Sequence, residues 1–202
     1  MDLWLLKVLN GFAALWDGIE DPFEFVANTA ELMFLALLAT AFLAKGRFTS
    51  VKARHGVVAA GLSALLALAV AHLISGMWDR PRPYEAHHIH LFVSPSGDPS
   101  FPSDHATAAF AIAIALLLRN RRVGWVALVM ATVVSLSRVA VGVHYPSDVL
   151  GGALIGTLAA LVLWTPQVRG PLHALADRLS SAYEWLSAGA SRRIFRAAPH
   201  RS

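Results

Sequence analysis

The chain has 202 residues, of which 56% are hydrophobic and only 15% are charged, and it contains no cysteine. Soluble domains are about a quarter charged, so this composition argues against a soluble all-α protein. Without cysteine the chain has no disulfide framework and no thiolate chemistry. The net charge of +4 is spread over several clusters rather than one patch, so we expect no nucleic-acid partner.

The first segment, Leu3–Trp16, is apolar but short, and it leads into the acidic stretch Asp17–Glu24. It lacks the strongly basic start and the small-residue cleavage site of a signal peptide. We therefore predict an interfacial helix here, with a short additional span as the alternative.

Five longer apolar segments follow, each close to the roughly 20 residues that a helix needs to cross a ~30 Å hydrocarbon core. The sequence therefore predicts an all-α, polytopic membrane helical bundle with five or six transmembrane helices. We assign residues 1–164 to this membrane domain. The five segments are Phe25–Ala44, Val57–Ser75, Ser103–Leu118, Gly124–Val143 and Val149–Trp164.

Residues 165–202 form the second predicted unit. From Pro171 onward, apolar residues recur at steps of three and four, which indicates an amphipathic helix on the cytoplasmic surface of the membrane. This helix could equally cover the bundle or mediate self-association, and the oligomeric state is left open. The basic end of the chain is expected to be attracted to anionic lipid.

Basic clusters lie on one side of the membrane if the five segments alternate in direction, and the positive-inside bias makes that side cytoplasmic. The acidic stretch Asp17–Glu24, the loop Gly76–Pro102 and the turn around His144 then face the extracytoplasmic side. The clusters are Lys45, Arg47, Lys52 and Arg54; Arg119, Arg121 and Arg122; and Arg169, Arg178, Arg192, Arg193, Arg196 and Arg201.

Arg138 lies near the outer end of a predicted span, where an arginine costs about 2–3 kcal/mol unless it reaches the head groups or faces a polar cavity. His144 and Asp148 follow it. Asp148 falls in the first turn after Pro146, where a carboxylate suits the helix dipole, so it could simply be a capping residue. The alternative is that it accepts a hydrogen bond from the His144 ring and orients it, as in a catalytic triad.

Two further segments reach the same predicted face. Ser103 is a good N-cap with His105 in the following turn, and Arg80 and Arg82 follow the second long segment. Arginines and a helix N-terminus bind phosphate-like dianions. One histidine paired to a carboxylate can attack phosphorus while a second protonates the leaving oxygen. The sequence therefore predicts a phosphoryl-transfer site.

Three motifs in these segments resemble those of the type 2 phosphatidic acid phosphatase (PAP2) superfamily, in particular its bacterial undecaprenyl-diphosphate phosphatase branch. Ser137-Arg138, His144 and Asp148 fill every position of the third motif. Pro102-Ser103-Asp104-His105 matches the second motif with aspartate in place of glycine. Arg82-Pro83 ends the first motif, but Ser75 stands where the family has lysine.

The resemblance implies that His144 is the nucleophile, Asp148 orients it, and His105 is the general acid. Arg82, Arg138 and the Ser103 backbone would then hold the phosphoryl oxygens, with no metal or cofactor. We expect Arg80 to supply the charge of the missing lysine. The expected function is hydrolysis of undecaprenyl diphosphate to undecaprenyl phosphate through a phosphohistidine, on the extracytoplasmic face of a bacterial plasma membrane.

Other functions remain open at this point. Within the enzyme class the alternatives are phosphatidic acid, phosphatidylglycerol phosphate or another polyprenyl phosphate as substrate, or a lipid phosphotransferase. From other classes, the alternatives are an anion transporter and an inactive lipid-binding relative. The histidines His87, His88 and His90 do not have the spacing of a helical metal-ligand pair, and we expect them to line the substrate entrance.

Overall fold

The computed structural model describes residues 1–15, 17–43 and 51–197, apart from the side chains of residues 51–53, 186 and 188–197. Within these ranges the chain forms eight helices and no β-strand, which confirms the all-α prediction. The helices are α1 (Asp2–Ala13), α2 (Glu20–Leu43), α3 (Val51–Ser75), α4 (Pro83–Ala86), α5 (Asp104–Leu117), α6 (Arg121–Ala140), α7 (Pro146–Trp164) and α8 (Pro166–Ala197).

Four helices, α2, α3, α6 and α7, are long and apolar enough to cross a membrane. The fifth predicted span is present as α5, but it has only 14 residues and is about 21 Å long. Helices α3, α6 and α7 surround it, and its residues Ala111, Ala113 and Ala115 are fully buried. Helix α5 is therefore the short central helix of the bundle, and the longer helices supply most of the lipid-facing surface.

Small residues allow α5 and α7 to pack closely. A Cβ atom at Gly156 would lie 2.3 Å from the carbonyl oxygen of Thr107, and one at Gly152 would lie 2.6 Å from that of Ser103. Close backbone approach at small residues is a common way to join helices in lipid, where no hydrophobic force drives them together. This contact sets the N-terminal ends of α5 and α7 side by side, and both ends carry predicted site residues.

The N-terminal helix α1 has 12 residues, about 18 Å, so it is too short to cross the hydrocarbon core. The alternative of a sixth span is therefore not supported, and the interfacial position stays a prediction. The buried Asn10 side chain donates to the carbonyl oxygens of Ala140 (2.8 Å) and His90 (2.7 Å) and accepts from the His90 N–H (3.0 Å). Asn10 thus connects α1 both to the end of α6 and to the loop that contains His90.

Helix α8 covers the opposite end of the bundle. Leu172 and Ala176 are buried, and two ion pairs join α8 to α3: Arg54 with Glu184 (2.6 Å) and His55 with Asp177 (2.7 Å). Helix α8 thus covers the bundle, which is one of the two alternatives to a helix on the membrane surface alone; the other is self-association. The domain division at residues 164 and 165 stays a prediction, and the basic residues Lys45 and Arg47 lie outside the described residues.

We expect Gly156→Ala to lower the melting temperature of the detergent-purified protein by several degrees. The added methyl group overlaps main-chain atoms that no side-chain rotation can move, and overpacking of this kind costs about 1–3 kcal/mol. The matched control is Gly61→Ala, because no atom lies within 4 Å of that Cβ and alanine favours a helix by about 1 kcal/mol. Equal melting temperatures for the two variants would contradict the close α5–α7 contact.

Candidate active site

A cavity of about 730 Å³ lies between α2, α3, α5 and α6 and joins a polar end to an apolar end. Four of the predicted site residues line the polar end, although they come from four separate parts of the chain. The polar lining includes Arg82, His105, Arg138 and His144 together with Asp98 and Asp104, and the apolar lining includes Phe34, Leu35, Leu38, Leu68, Ile112 and Val134.

His144 lies in the connection between α6 and α7 and is only 3% exposed. Its Nδ1 is 2.9 Å from the carbonyl oxygen of Ser100. Because a carbonyl oxygen can only accept a hydrogen bond, Nδ1 carries the proton and Nε2 carries the free lone pair. Burial lowers the pKa of His144, and this effect exceeds the opposing one of the nearby Asp148 carboxylate. The ring is therefore neutral, with a nucleophilic Nε2, at neutral pH.

Asp148 orients His144 indirectly. Its carboxylate is 3.7 Å from Nδ1, which is too far for a hydrogen bond, so the predicted direct bond is wrong. The carboxylate instead accepts hydrogen bonds from the Ser100 hydroxyl (2.5 Å), the Tyr145 N–H (2.8 Å) and the Arg80 guanidinium (2.5 Å). Asp148 thus caps α7 and also fixes Ser100, whose carbonyl oxygen holds the imidazole.

Ser100 is a site residue that sequence reasoning missed. It is fully buried, and its main-chain N–H donates to the carbonyl oxygen of Arg80 at 2.8 Å. In the sequence it is one serine among several in a proline-rich loop, so no local signal distinguishes it. Its function as a bridge between Asp148 and His144 depends on tertiary contacts alone.

Arg82 is held next to His144. The side chain is buried and donates from Nε to the Asp98 carbonyl oxygen (2.9 Å) and from Nη1 to the Val143 carbonyl oxygen (3.2 Å). Asp98 also forms a longer ion pair with Nη2 (3.4 Å). The hydrogen bond to the Ser96 hydroxyl, followed by the Arg82 charge, lowers the pKa of Asp98 despite partial burial. Arg82 therefore presents a fixed guanidinium at the polar end of the cavity.

Arg138 lies in the last turn of α6 and lines the cavity, which favours the cavity-facing alternative over head-group contact. Its Nη1 donates to the Ala27 carbonyl oxygen (3.4 Å), and its buried Nε has no acceptor within the described residues. No side-chain carboxylate in that part of the chain lies within 4.0 Å of it. This guanidinium is therefore available to an anion in the cavity.

The main-chain N–H of Ser103, at the N-terminus of α5, is not available for the phosphoryl oxygens that the sequence resemblance assigns to it. The Ser103 N–H already donates to the Asp148 carbonyl oxygen at 3.1 Å, so this amide is not free to bind a phosphoryl oxygen. The Ser103 hydroxyl is buried without a partner among the described residues. His105, two residues further in the same first turn, lines the cavity, and so does Asp104. Ser103 is thus a link between α5 and α7, whereas Asp104 and His105 are the residues of this turn that line the cavity.

Arg80 does not line the cavity, which corrects the prediction that it replaces the missing lysine. Its guanidinium contacts Asp148 and the Ser147 hydroxyl (2.7 Å) on one side and the Asp2 carboxylate (2.8 Å) on the other. It also lies 4.1 Å from the centroid of the Tyr145 ring, a cation–π contact. Arg80 is therefore a positioning residue that acts on His144 through Asp148.

The three loop histidines, His87, His88 and His90, lie outside the cavity. The His87 ring packs edge-on against Tyr145, with centroids 6.1 Å apart, and the main chain of His90 is bound by Asn10. None of the three is among the residues that line the cavity, and their position at the substrate entrance stays a prediction. Among the described residues no group of three His, Cys, Asp or Glu side chains converges on a possible metal site.

Known proteins with similar sequences provide independent information on this site. The family model described as "PAP2 superfamily" matches residues 56–169. Undecaprenyl-diphosphatase BcrC of Bacillus subtilis is 31% identical over 164 residues, 81% of this chain and 83% of the relative. Putative undecaprenyl-diphosphatase YbjG of Escherichia coli is 37% identical over 134 residues, 64% and 66% of the two chains. Decaprenylphosphoryl-5-phosphoribose phosphatase of Mycobacterium tuberculosis is 39% identical over 132 residues, 64% and 68%.

The fold also matches a solved structure. The crystal structure of Aquifex aeolicus LpxE superimposes with a TM-score of 0.67, covers 80% of this chain and 93% of that chain, and is 24% identical in sequence. The likeness supports the overall fold of the helical bundle.

We expect Arg80→Ala to lower kcat with little change in KM, because Arg80 contacts Asp148 and not the cavity. Loss of one charged hydrogen bond, about 1.5–3 kcal/mol, corresponds to about 10- to 100-fold in rate. Removing Arg80 leaves the Asp148 carboxylate, which opposes the lowering of the His144 pKa, without its counter-charge, so the acid limb of kcat/KM should move to higher pH. Arg80→Lys, which keeps the charge, should restore part of the activity.

The measurement is kcat, KM and their pH dependence for the wild type and both variants, in the same detergent. A rise in KM with unchanged kcat would mean that Arg80 binds the phosphate after all. If activity falls but the acid limb of the kcat/KM profile does not move, Arg80 has only a structural role.

Proposed function

Because this chain belongs to the PAP2 superfamily, we propose that it is a membrane phosphatase that hydrolyses undecaprenyl diphosphate to undecaprenyl phosphate. The substrate is suggested by the relatives named undecaprenyl-diphosphatase. The observation that carries the proposal is the cavity itself, which joins a neutral, oriented imidazole and two guanidinium groups to an apolar space.

The apolar end of the cavity suits a prenyl chain. Phe34, Leu35 and Leu38 of α2 face Leu68 of α3 across it, and Leu35 is also 61% exposed on the outer surface of the bundle. A lipid can therefore enter sideways between α2 and α3, with its phosphates toward Arg82 and Arg138. The cavity has room for the head group and the first part of the chain, and the remainder stays in the bilayer.

The chemistry follows from the side chains at the polar end. His144 Nε2 attacks the terminal phosphorus, a P–N bond forms, and the P–O bond to the lipid monophosphate breaks. His105 takes up a proton when the negatively charged substrate binds beside it, and it gives this proton to the leaving oxygen. His105 then takes a proton from water as that water attacks the phosphohistidine, which releases inorganic phosphate and restores His144.

Arg82 and Arg138 stabilise the charge that spreads over the phosphoryl oxygens in both transition states. Guanidinium groups remain charged at all relevant pH values and bind phosphate through two hydrogen bonds at once. They supply positive charge that a bound cation supplies in many other phosphoryl-transfer enzymes, so we propose that the activity is independent of metal ions.

The proposed location is the plasma membrane of a bacterium, with the active site on the extracytoplasmic face. The active site lies at the end of the bundle where α5 and α7 begin, and the basic residues Arg54, Arg119 and Arg169 lie near the other end. The positive-inside bias supports a cytoplasmic position for that basic end.

A second candidate substrate is a prenyl-phosphate sugar that carries a terminal phosphomonoester. The specific observation is that Glu31, Asp98 and Asp104 line the same cavity. Carboxylates oppose the second phosphate of a diphosphate, but they accept hydrogen bonds from sugar hydroxyl groups. A relative named decaprenylphosphoryl-5-phosphoribose phosphatase is 39% identical over part of the chain.

We expect His144→Ala to lower kcat by at least about 10³-fold, because the variant lacks the nucleophile. EDTA should leave wild-type activity unchanged. The measurement is phosphate release from undecaprenyl diphosphate by the purified protein. The matched control is His88→Ala, which removes an exposed histidine outside the cavity and should retain full activity. Full activity of His144→Ala, or loss of wild-type activity in EDTA, would refute the mechanism.

The substrate is tested by kcat/KM for undecaprenyl diphosphate, a prenyl-phosphate sugar phosphate, phosphatidic acid and phosphatidylglycerol phosphate under one condition. We expect the diphosphate to have the highest value. Asp98→Asn should raise kcat/KM for the diphosphate severalfold, because it removes a negative charge that competes for Arg82. A preference for the sugar phosphate that Asp98→Asn weakens would favour the second candidate.

A further inference from the structure

The end of the bundle opposite the active site has more guanidinium charge than its own carboxylates neutralise. All 13 acidic side chains of the protein lie within the described residues. On this end of the bundle the acidic residues are Asp177 and Glu184, and these pair with His55 and Arg54. The remaining basic side chains here therefore depend on water or on an external anion.

Two of those basic residues meet at one aromatic ring. The guanidinium carbon of Arg119 is 4.7 Å from the centroid of the Trp164 ring, and that of Arg169 is 5.0 Å from it. No side-chain carboxylate in the described part of the chain lies within 4.0 Å of either group. Because both guanidinium carbons lie within 5.0 Å of the same centroid, they are less than about 10 Å apart, and the charge of Arg169 acts on Arg119.

Arg119 also has hydrogen-bond donors that the chain does not use. Its Nη1 donates to the Ala115 carbonyl oxygen at 3.2 Å, which satisfies the end of α5. Its Nε and Nη2 are buried and have no acceptor among the described residues. Buried donors on a charged group are costly when unpaired. Because the Arg119 residue as a whole is partly exposed, its guanidinium can turn these donors toward an external acceptor at the surface.

The cluster remains charged at neutral pH. Burial, and then the charge of Arg169, lowers the pKa of Arg119 to about 10, which still leaves the guanidinium protonated. Burial, and then the neighbouring His55, lowers the pKa of His173, and Arg119 and Arg169 contribute further to this effect. An anion of one or two charges is therefore the ligand that fits this position.

The position along the helices identifies the source of that anion. Trp164 is the last residue of α7, Arg119 follows the end of α5, and Arg169 is in the first turns of α8. These are the ends of helices that cross or enter the bilayer, and tryptophan and arginine at such ends lie at the level of the lipid head groups. An anionic head group is therefore present at this depth at high local concentration.

We propose that Arg119 and Arg169, beside Trp164, form a binding site for a phosphate group, supplied by an anionic phospholipid of the leaflet opposite the active site. Nε and Nη2 of Arg119 form the paired donor edge that binds two phosphate oxygens at once, and Arg169 adds a second charge. A lipid held here joins the ends of α5, α7 and α8. The site is separate from the catalytic cavity, which none of these residues lines.

The test uses delipidated full-length protein in a neutral detergent, titrated with phosphatidylglycerol or phosphatidylcholine, with bound lipid counted by native mass spectrometry. We expect Arg119→Gln/Arg169→Gln to lower the phosphatidylglycerol affinity by about tenfold. The matched control is Arg121→Gln/Arg122→Gln, which removes the same charge from exposed positions nearby. This control should change the affinity by less than about twofold, and phosphatidylcholine binding should be unaffected in all variants.

Because Arg119 also caps α5, the single variant Arg169→Gln provides a second measurement that keeps the Arg119–Ala115 hydrogen bond. It should lose affinity severalfold while its phosphatase activity in detergent stays at the wild-type value. If both double variants lose the same phosphatidylglycerol affinity, the attraction is diffuse and the proposed site is overturned. If neither variant loses affinity, the site is overturned as well. Displacement of phosphatidylglycerol by inorganic phosphate at equal concentration would overturn the lipid as the source.

Discussion

The structure depends on one buried carboxylate, that of Asp148 at the start of α7. It is fully buried, and it is tolerated there because it accepts hydrogen bonds from the Ser100 hydroxyl, the Tyr145 N–H and Arg80. A buried charge left without such partners costs several kcal/mol. The same bonds that satisfy Asp148 fix the loop that carries Ser100, and the Ser100 carbonyl oxygen then selects the His144 tautomer. Folding and nucleophile orientation thus rest on the same contacts.

This arrangement extends beyond the residues that the family model matches. The family model matches residues 56–169, whereas Asp2 lies in α1, outside that range. Asp2 nevertheless bonds Arg80 and the Ser147 N–H. Burial alone raises the carboxyl pKa of Asp2, but its bonds with Ser147 and Arg80 outweigh this effect and lower it. Helix α1 therefore stabilises Arg80 and Ser147 on the side of Asp148 that does not face the cavity.

The sequence was sufficient to predict the long helices and most of the residues that line the polar end of the cavity, because long apolar segments and motif residues are local signals. The apolar segments predict the four long helices, α2, α3, α6 and α7. The motifs identify four residues that line the cavity: Arg82, His105, Arg138 and His144. Other features depend on tertiary contacts. The direction of the long Arg80 side chain is decided by Asp148 and Asp2, which are distant in sequence. Ser100 has no local signal, and the Ser103 amide is occupied by a carbonyl oxygen from α7.

The most direct test of the central claim is the identity of the nitrogen that becomes phosphorylated. The intermediate is trapped by rapid alkaline quenching during turnover, and the phosphohistidine isomer is assigned by NMR on the digested peptide that contains residue 144. The Ser100 carbonyl oxygen holds the proton on Nδ1, so the phosphate is predicted on Nε2. Phosphate on Nδ1, or a trapped intermediate on another residue, would contradict the orientation of His144 by Asp148 and Ser100.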